Sequence, residues 1–172
     1  VYVPHKCIGR DKIRGIELIA CPLYAVNIED DKRNKVFKQC DLLKRERKYF
    51  YSFAGGYQSD CYLTDIRLRI FNLNKKKRQD CMIRNTGGWH FNCDVYGGGQ
   101  DVTGKLNEDE RHIIKTKIYN DILLDSRYAL APSGSGPNSI RFWEALGAGA
   151  IPVLLADTLE LPEHKLWDKA IV

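Results

Sequence analysis

Tyr128-Ala129-Leu130-Ala131, Pro132-Ser133-Gly134-Ser135-Gly136-Pro137, Ser139-Ile140-Arg141-Phe142-Trp143-Glu144-Ala145-Leu146 and Ile151-Pro152-Val153-Leu154-Leu155 follow one another with little chain between them. The first and last are short apolar runs bounded by turn residues, the pattern of buried strands. The segment between them sets Ile140, Trp143 and Gly147 along one helical face and Arg141, Glu144, Ala145 and Ala148 along another. Strand, helix and strand joined by so short a crossover predict neighbouring strands of a parallel sheet.

The same alternation extends upstream. Tyr49-Phe50-Tyr51-Ser52-Phe53 is an aromatic strand stopped by Ala54-Gly55-Gly56, a helix is predicted from about Thr64 with Leu63, Ile66, Leu68 and Ile70 as its apolar positions, and Cys81-Met82-Ile83 is a short strand. Asn85 to Gly104 is glycine-rich and reads as a long loop, with Thr86 to Gly104 expected to be exposed and mobile when no acceptor is bound. Asn107 is predicted to cap the next helix, with Glu108, Asp109 and Glu110 at its positive end and Ile113, Ile114, Ile118, Ile122 and Leu123 as its apolar side. From Lys48 onward the order therefore predicts an α/β fold, a Rossmann-like parallel sheet with flanking helices. Such sheets bind ligands beyond the carboxyl ends of their strands. Residues 1–46 lack this regularity and read as a lead-in segment, leaving 47–172 as the folded lobe.

Composition narrows the class. Of 172 residues, 44% are hydrophobic and 28% charged, enough for one good core and against general disorder. The formal net charge is +5, but the runs Lys44-Arg45-Glu46-Arg47-Lys48 and Lys75-Lys76-Lys77-Arg78 read as solvated surface, and no nucleic-acid-binding motif accompanies them. Asp30-Asp31 likewise reads as a solvated turn. No stretch reaches the about 18 apolar residues of a membrane span. The start at Val1-Tyr2-Val3-Pro4, without a signal peptide, and the ending Lys169-Ala170-Ile171-Val172, read as a strand cut short, are expected of a piece of a longer protein. The six cysteines, Cys7, Cys21, Cys40, Cys61, Cys81 and Cys93, show no Cys-x-x-Cys spacing, and disulfides or free thiols explain them better than a zinc site built on Cys81, His90 and Cys93.

The turn from Ser133 to Ser139 lies where a strand meets a helix, and there an anion is easily held. Glycine lets backbone approach a phosphate closely, and the unpaired amides of the helix start point at it. Gly134 and Gly136 supply the first property, Asn138 is the expected N-cap, and Ser133, Ser135 and Ser139 add hydroxyls. Arg141 could fork onto a diphosphate and Glu144 could accept ribose hydroxyls. A plain ion pair between them, three residues apart, accounts for the same two residues equally well.

Four linked blocks carry a family resemblance: Ser126 to Gly134, Asn138 to Leu146, Gly149 to Asp157, and Leu159-Glu160-Leu161-Pro162. Together with Tyr51-Ser52-Phe53-Ala54-Gly55 and Asp65-Ile66-Arg67, they resemble the C-terminal signature of exostosin-like, GT47-type glycosyltransferases. The resemblance covers roughly Lys48 to Val172. It implies the C-terminal, donor-binding lobe of a two-lobed GT-B enzyme, with residues 1–46 as the end of the preceding lobe or an interlobe linker. It further implies an inverting glycosyltransferase, a hexosyl- or pentosyltransferase, that moves a sugar from a UDP-sugar to a hydroxyl of a glycan or glycoconjugate. The family often has cysteines where this chain has Ala131 and Ala150, so a disulfide there is excluded, which leans away from a lineage matured in an oxidising lumen. The family's compartment is the Golgi lumen if the source is eukaryotic; a bacterial or viral source would place the protein in the cytoplasm.

Under that resemblance the catalytic residues are Arg141 and Arg67, which would stabilise the departing diphosphate. Ser133, Gly134, Ser135, Gly136, Asn138, Ser139, Arg141 and Glu144 would hold the donor. The base is expected from the facing N-terminal lobe. Of the histidines, His90 in the glycine-rich loop is the candidate for acceptor-side work, and His112 and His164 read as surface residues. No cofactor and no metal ligand are expected, because cationic side chains and a helix start can stabilise the leaving group. A non-catalytic nucleotide- or carbohydrate-binding module is the alternative that keeps the same residues.

Overall fold

The computed structural model describes residues 1–73, 78–87 and 108–172, the side chains of 108–112 excepted. Its centre is a four-stranded sheet whose neighbouring strands all run parallel. Residues 1–46 supply β1 (Tyr2–Val3), β2 (Lys12–Ile13), β3 (Ile16–Glu17), β4 (Ile19–Ala20), α1 (Val26–Glu29) and α2 (Lys35–Lys38). There follow β5 (Tyr49–Gly55), α3 (Ile66–Leu73), β6 (Cys81–Asn85), α4 (Glu108–Leu124), β7 (Ser126–Pro132), α5 (Ile140–Gly147), β8 (Ile151–Leu155) and α6 (Trp167–Ala170).

The strand order is β6-β5-β7-β8. From β5 the chain moves first to one side, onto β6, and then returns past β5 to add β7 and β8 on the other. The point where that direction reverses lies between β5 and β7, where connections leave to opposite sides and open a crevice at the strands' carboxyl ends. Registers run from Tyr51↔Cys81 to Gly55↔Asn85, Tyr49↔Ser126 to Ser52↔Ala129, and Tyr128↔Ile151 to Pro132↔Leu155. β5 thus continues through Ala54 and Gly55 instead of stopping at Phe53, because both residues still pair with Arg84 and Asn85 on β6. At the other edge, Val172 donates its amide to Pro152 O at 3.0 Å and accepts from Leu154 N at 2.8 Å. Ile171 and Val172 are therefore extended against β8, whereas Lys169 and Ala170, expected in the same strand, close α6.

The apolar side of α4 is shorter than the sequence pattern predicts. Ile113 and Ile114 are exposed, and only Ile122, Leu123 and Leu124 are buried, since the carboxyl end of the helix alone reaches the core. That core joins Leu123 and Leu124 to Ala129 on β7, Ala145 and Ala148 around α5, and Phe37 from α2, with Ile28, Val36 and Leu42 packed against it. Residues 1–46, irregular by sequence, thus share the same core. Their elements are too short to show a period; α1 packs on α5, while β1 pairs with β4 and β2 with β3. A second link ties Lys6 to both Asp11 and Glu160, while Ile8 N reaches Thr158 O at 3.0 Å and Cys7 bridges to Leu159.

Of the basic run at 44–48, Lys44 alone matches the solvated reading fully. Arg45 and Lys48 meet Asp125 at 2.6 and 2.9 Å. Arg47 donates to the carbonyls of Leu124 (2.7 Å), Ala148 (3.2 Å), Gly149 (3.2 Å) and Leu42 (3.1 Å), so one guanidinium caps the carboxyl ends of both α4 and α5. Asp31 keeps an exposed pair with Lys38. The five described cysteines, Cys7, Cys21, Cys40, Cys61 and Cys81, form no disulfide with one another. His90, Cys93, Asn107, the His112 side chain and residues 88–104 of the glycine-rich loop lie outside the described residues. No described helix is long and apolar enough to cross a membrane.

Candidate functional site

The crevice predicted by the strand order is present as a cleft of about 480 Å³. That volume suits a nucleotide-sized ligand. Two arginines from different helices meet in it.

Arg67, on the first turn of α3, is buried at 3% exposure and reaches across the switch point. Its Nε donates to Ser133 O, just past β7, at 2.9 Å, and its Nη1 donates to Gly56 O, just past β5, at 3.1 Å. Tyr62 covers the guanidinium with its ring centroid 4.3 Å from Cζ. Arg141, on the first turn of α5, donates from Nε to Ala54 O at 2.6 Å and lies 5.5 Å from the Phe53 ring centroid. Its Nη2 occupies the space where a side chain on residue 55 would begin: a Cβ there would stand 2.7 Å away, so any larger residue at Gly55 would displace the guanidinium.

Neutral carbonyls and ring faces position both guanidiniums. No carboxylate among the described residues forms a salt bridge with either. Burial, and then the charge of Arg141, lower the Arg67 pKa to about 9. It remains cationic at neutral pH. The two neighbouring cations repel each other, and an anion between them would remove that repulsion.

Glu144 does not pair with Arg141, and its carboxylate faces other partners. It is fully buried, its Oε1 accepting from Asn27 N (3.2 Å) and Nδ2 (2.7 Å) and its Oε2 from the Tyr119 hydroxyl (2.7 Å). Burial raises the Glu144 pKa, while the hydrogen bonds from Tyr119 and Asn27 and the charge of Arg141 oppose that shift. Burial and then Glu144 itself keep the Tyr119 phenol protonated and donating. Neither Asn27 nor Tyr119 was singled out by sequence. Asn27 lies in the irregular segment, and a tyrosine within a charged helix gives no signal by itself.

The turn after β7 is arranged differently from its sequence expectation. Ser139, not Asn138, occupies the N-cap position of α5, and its hydroxyl makes no capping bond. Asn138 instead donates from Nδ2 to Pro4 O at 2.5 Å, accepts from Trp143 Nε1 at 2.9 Å, and gives its amide to His5 Nδ1 at 3.2 Å. The His5 ring lies so close over residue 136 that a Cβ there would meet it at 2.6 Å. Glycine at Gly136 therefore admits His5, where a phosphate was expected. The Ser133 amide goes to Leu155 O and the Gly134 amide to Gly136 O. The Ser133 hydroxyl meets Thr64 Oγ1 at 3.1 Å. Tertiary and local partners thus use amides that sequence alone leaves free. The amides of Ile140 and Arg141, at the start of α5, have no acceptor among the described residues.

Gly134, Ser135, Asn138, Ser139, Arg141 and Glu144 line the cleft with Arg67, whereas Ser133 and Gly136 are outside its lining. His164 lies elsewhere, its ring 5.9 Å from that of Trp167 and its Nδ1 accepting from Leu166 N.

Comparison with known proteins identifies the family. The family model described as the exostosin GT47 domain matches residues 6–172. The chain is similar to the Exostosin-1 homolog of Caenorhabditis elegans, 26% identical over 157 residues that cover 90% of this chain and 39% of that protein. It is 40% identical over 138 residues to Exostosin-1 of Drosophila melanogaster, covering 78% of this chain and 17% of the relative. Against Exostosin-1c of Danio rerio it is 41% identical over 56 residues, 31% of this chain and 8% of the other. The chain therefore spans less than two fifths of the length of each of these relatives.

Proposed function

Because the chain belongs to the exostosin GT47 family, we propose that it is the donor-binding part of an inverting GT-B glycosyltransferase that takes a UDP-sugar and passes the sugar to a hydroxyl of a glycan or glycoconjugate. The observation that supports this reading best is the pair Arg67 and Arg141, two guanidiniums from different helices at the switch point with no salt bridge to a described carboxylate. Their positive charge, with the Ile140 and Arg141 amides beside it, suits a diphosphate at the moment it leaves. Glu144, on the next turn of the same helix, keeps one Oε2 lone pair for a ribose hydroxyl. The base that deprotonates the acceptor would come from the facing N-terminal lobe, and family membership favours the Golgi lumen as the compartment.

Calorimetric titration of the complete protein with UDP and with inorganic pyrophosphate tests this. Both are expected to bind, and binding of neither would overturn the reading. Two cations and the Ile140 and Arg141 amides would offset most of the diphosphate's charge, so a chelator is expected to leave UDP affinity within about twofold. Affinity or turnover that disappears with EDTA and returns with magnesium would show that the leaving group needs a metal.

Glu144→Gln is expected to weaken UDP about 3- to 10-fold and to leave pyrophosphate unchanged. The amide keeps an acceptor for Asn27 and turns a donor toward the Tyr119 oxygen, so melting should move little. What it loses is the free Oε2 lone pair, and with it the charge that strengthens a ribose hydrogen bond. UDP affinity equal to that of the unaltered protein would make Glu144 a structural residue only.

A further inference from the structure

Resting on the reading just proposed, we infer that Asn27, from the irregular N-terminal segment, recognises the nucleoside half of the donor through its side-chain oxygen. Its Nδ2 donates to Glu144 Oε1 at 2.7 Å and its backbone amide reaches the same atom at 3.2 Å. A carboxylate oxygen whose twin already takes the Tyr119 hydroxyl accepts only, which fixes the amide's orientation: nitrogen toward Glu144, oxygen away. That oxygen, Oδ1, is buried and has no hydrogen-bond donor. Asn27 nevertheless lines the cleft. A buried acceptor without a donor is costly, and here it stands beside the carboxylate that the donor's ribose would meet.

The missing partner is thus a donor hydrogen carried by the ligand. On a uridine nucleotide that is a ribose hydroxyl or the imide N–H of the base, and a diphosphate has neither when ionised. Glu144 and Asn27 form one recognition unit, with acceptors on both and the Asn27 amide bridging them. Tyr119, held from behind, fixes the carboxylate's other oxygen. The two arginines hold the phosphates.

The test titrates the complete protein and its Asn27→Ala variant with UDP and with inorganic pyrophosphate, and the unaltered protein also with 2′-deoxy-UDP, 3′-deoxy-UDP and N3-methyl-UDP. Asn27→Ala is expected to weaken UDP about 5- to 20-fold while pyrophosphate stays within twofold, and at least one of the three analogues should bind the unaltered protein weaker by a similar factor. The analogue that does so identifies the ribose hydroxyl or the imide as the donor. UDP affinity unchanged in the variant would overturn the inference and leave the diphosphate reading intact. Equal weakening of UDP and pyrophosphate would overturn it too, making Asn27 a support for the fold of the cleft. Should the variant fail to fold, the analogues decide: three analogues as tight as UDP overturn the inference. If neither UDP nor pyrophosphate binds the unaltered protein, the diphosphate reading itself has failed.

Discussion

Replacing Arg141 with alanine should lower turnover of the complete enzyme about 30- to 1000-fold, equivalent to roughly 2–4 kcal/mol of transition-state stabilisation, while the fold stays intact. The contact in question strengthens as the diphosphate acquires charge, so it weighs more on rate than on ground-state affinity. Stability should change little because two effects oppose each other. The 2.6 Å bond to Ala54 O is lost, but the cation that repels buried Arg67 is removed as well. Arg141→Lys should recover part of the rate, since it restores a charge but not the planar fork. Turnover, UDP affinity and melting temperature measured side by side check this. A variant that melts much earlier yet turns over normally would mean that Arg141 serves the fold and not the leaving group.

Arg47→Ala should produce the opposite pattern, a large loss of stability with UDP affinity unchanged wherever both proteins are folded. The guanidinium gathers carbonyls from Leu42, Leu124, Ala148 and Gly149, the last turns of two helices, and burial followed by Arg45 lowers its pKa without removing its charge. Hydrogen bonds to a charged group contribute about 1.5–3 kcal/mol each at most, and not additively, so a total of roughly 3–4 kcal/mol is expected. For a chain of this size that lowers the melting temperature by about 6–16 °C. Lys44→Ala is the control: Lys44 is highly exposed, its contact with Asp41 is 3.4 Å, and its loss should stay within about 0.5 kcal/mol. Equal melting shifts for the two variants would show that the carbonyl cage contributes nothing beyond an ordinary surface charge.

By itself the sequence determined the parallel sheet and the order of its central elements. Ser126–Pro132 and Ile151–Leu155 are apolar runs with turn residues on both sides, and the amphipathic stretch between them is short enough to force adjacent parallel strands. Arg141 and Glu144 stood out because charged groups among apolar helix positions are expensive without a partner, whereas Arg67 stood out only through the family resemblance. Only the tertiary structure decided what those residues meet. The cost of an unpaired buried group depends on what lies within about 3 Å, and residues far apart in the chain supply it. Pro4 and His5 take Asn138, Asn27 and Tyr119 take Glu144, and a single Arg47 takes the ends of two helices. Short elements such as Val26–Glu29 and Lys35–Lys38 carry no readable period, because four residues barely complete one turn and owe their helical shape to the surface they pack on. Local pattern therefore settled the layers of this protein, while long-range hydrogen bonding and mutual charge decided which atoms of the cleft remain free for a ligand.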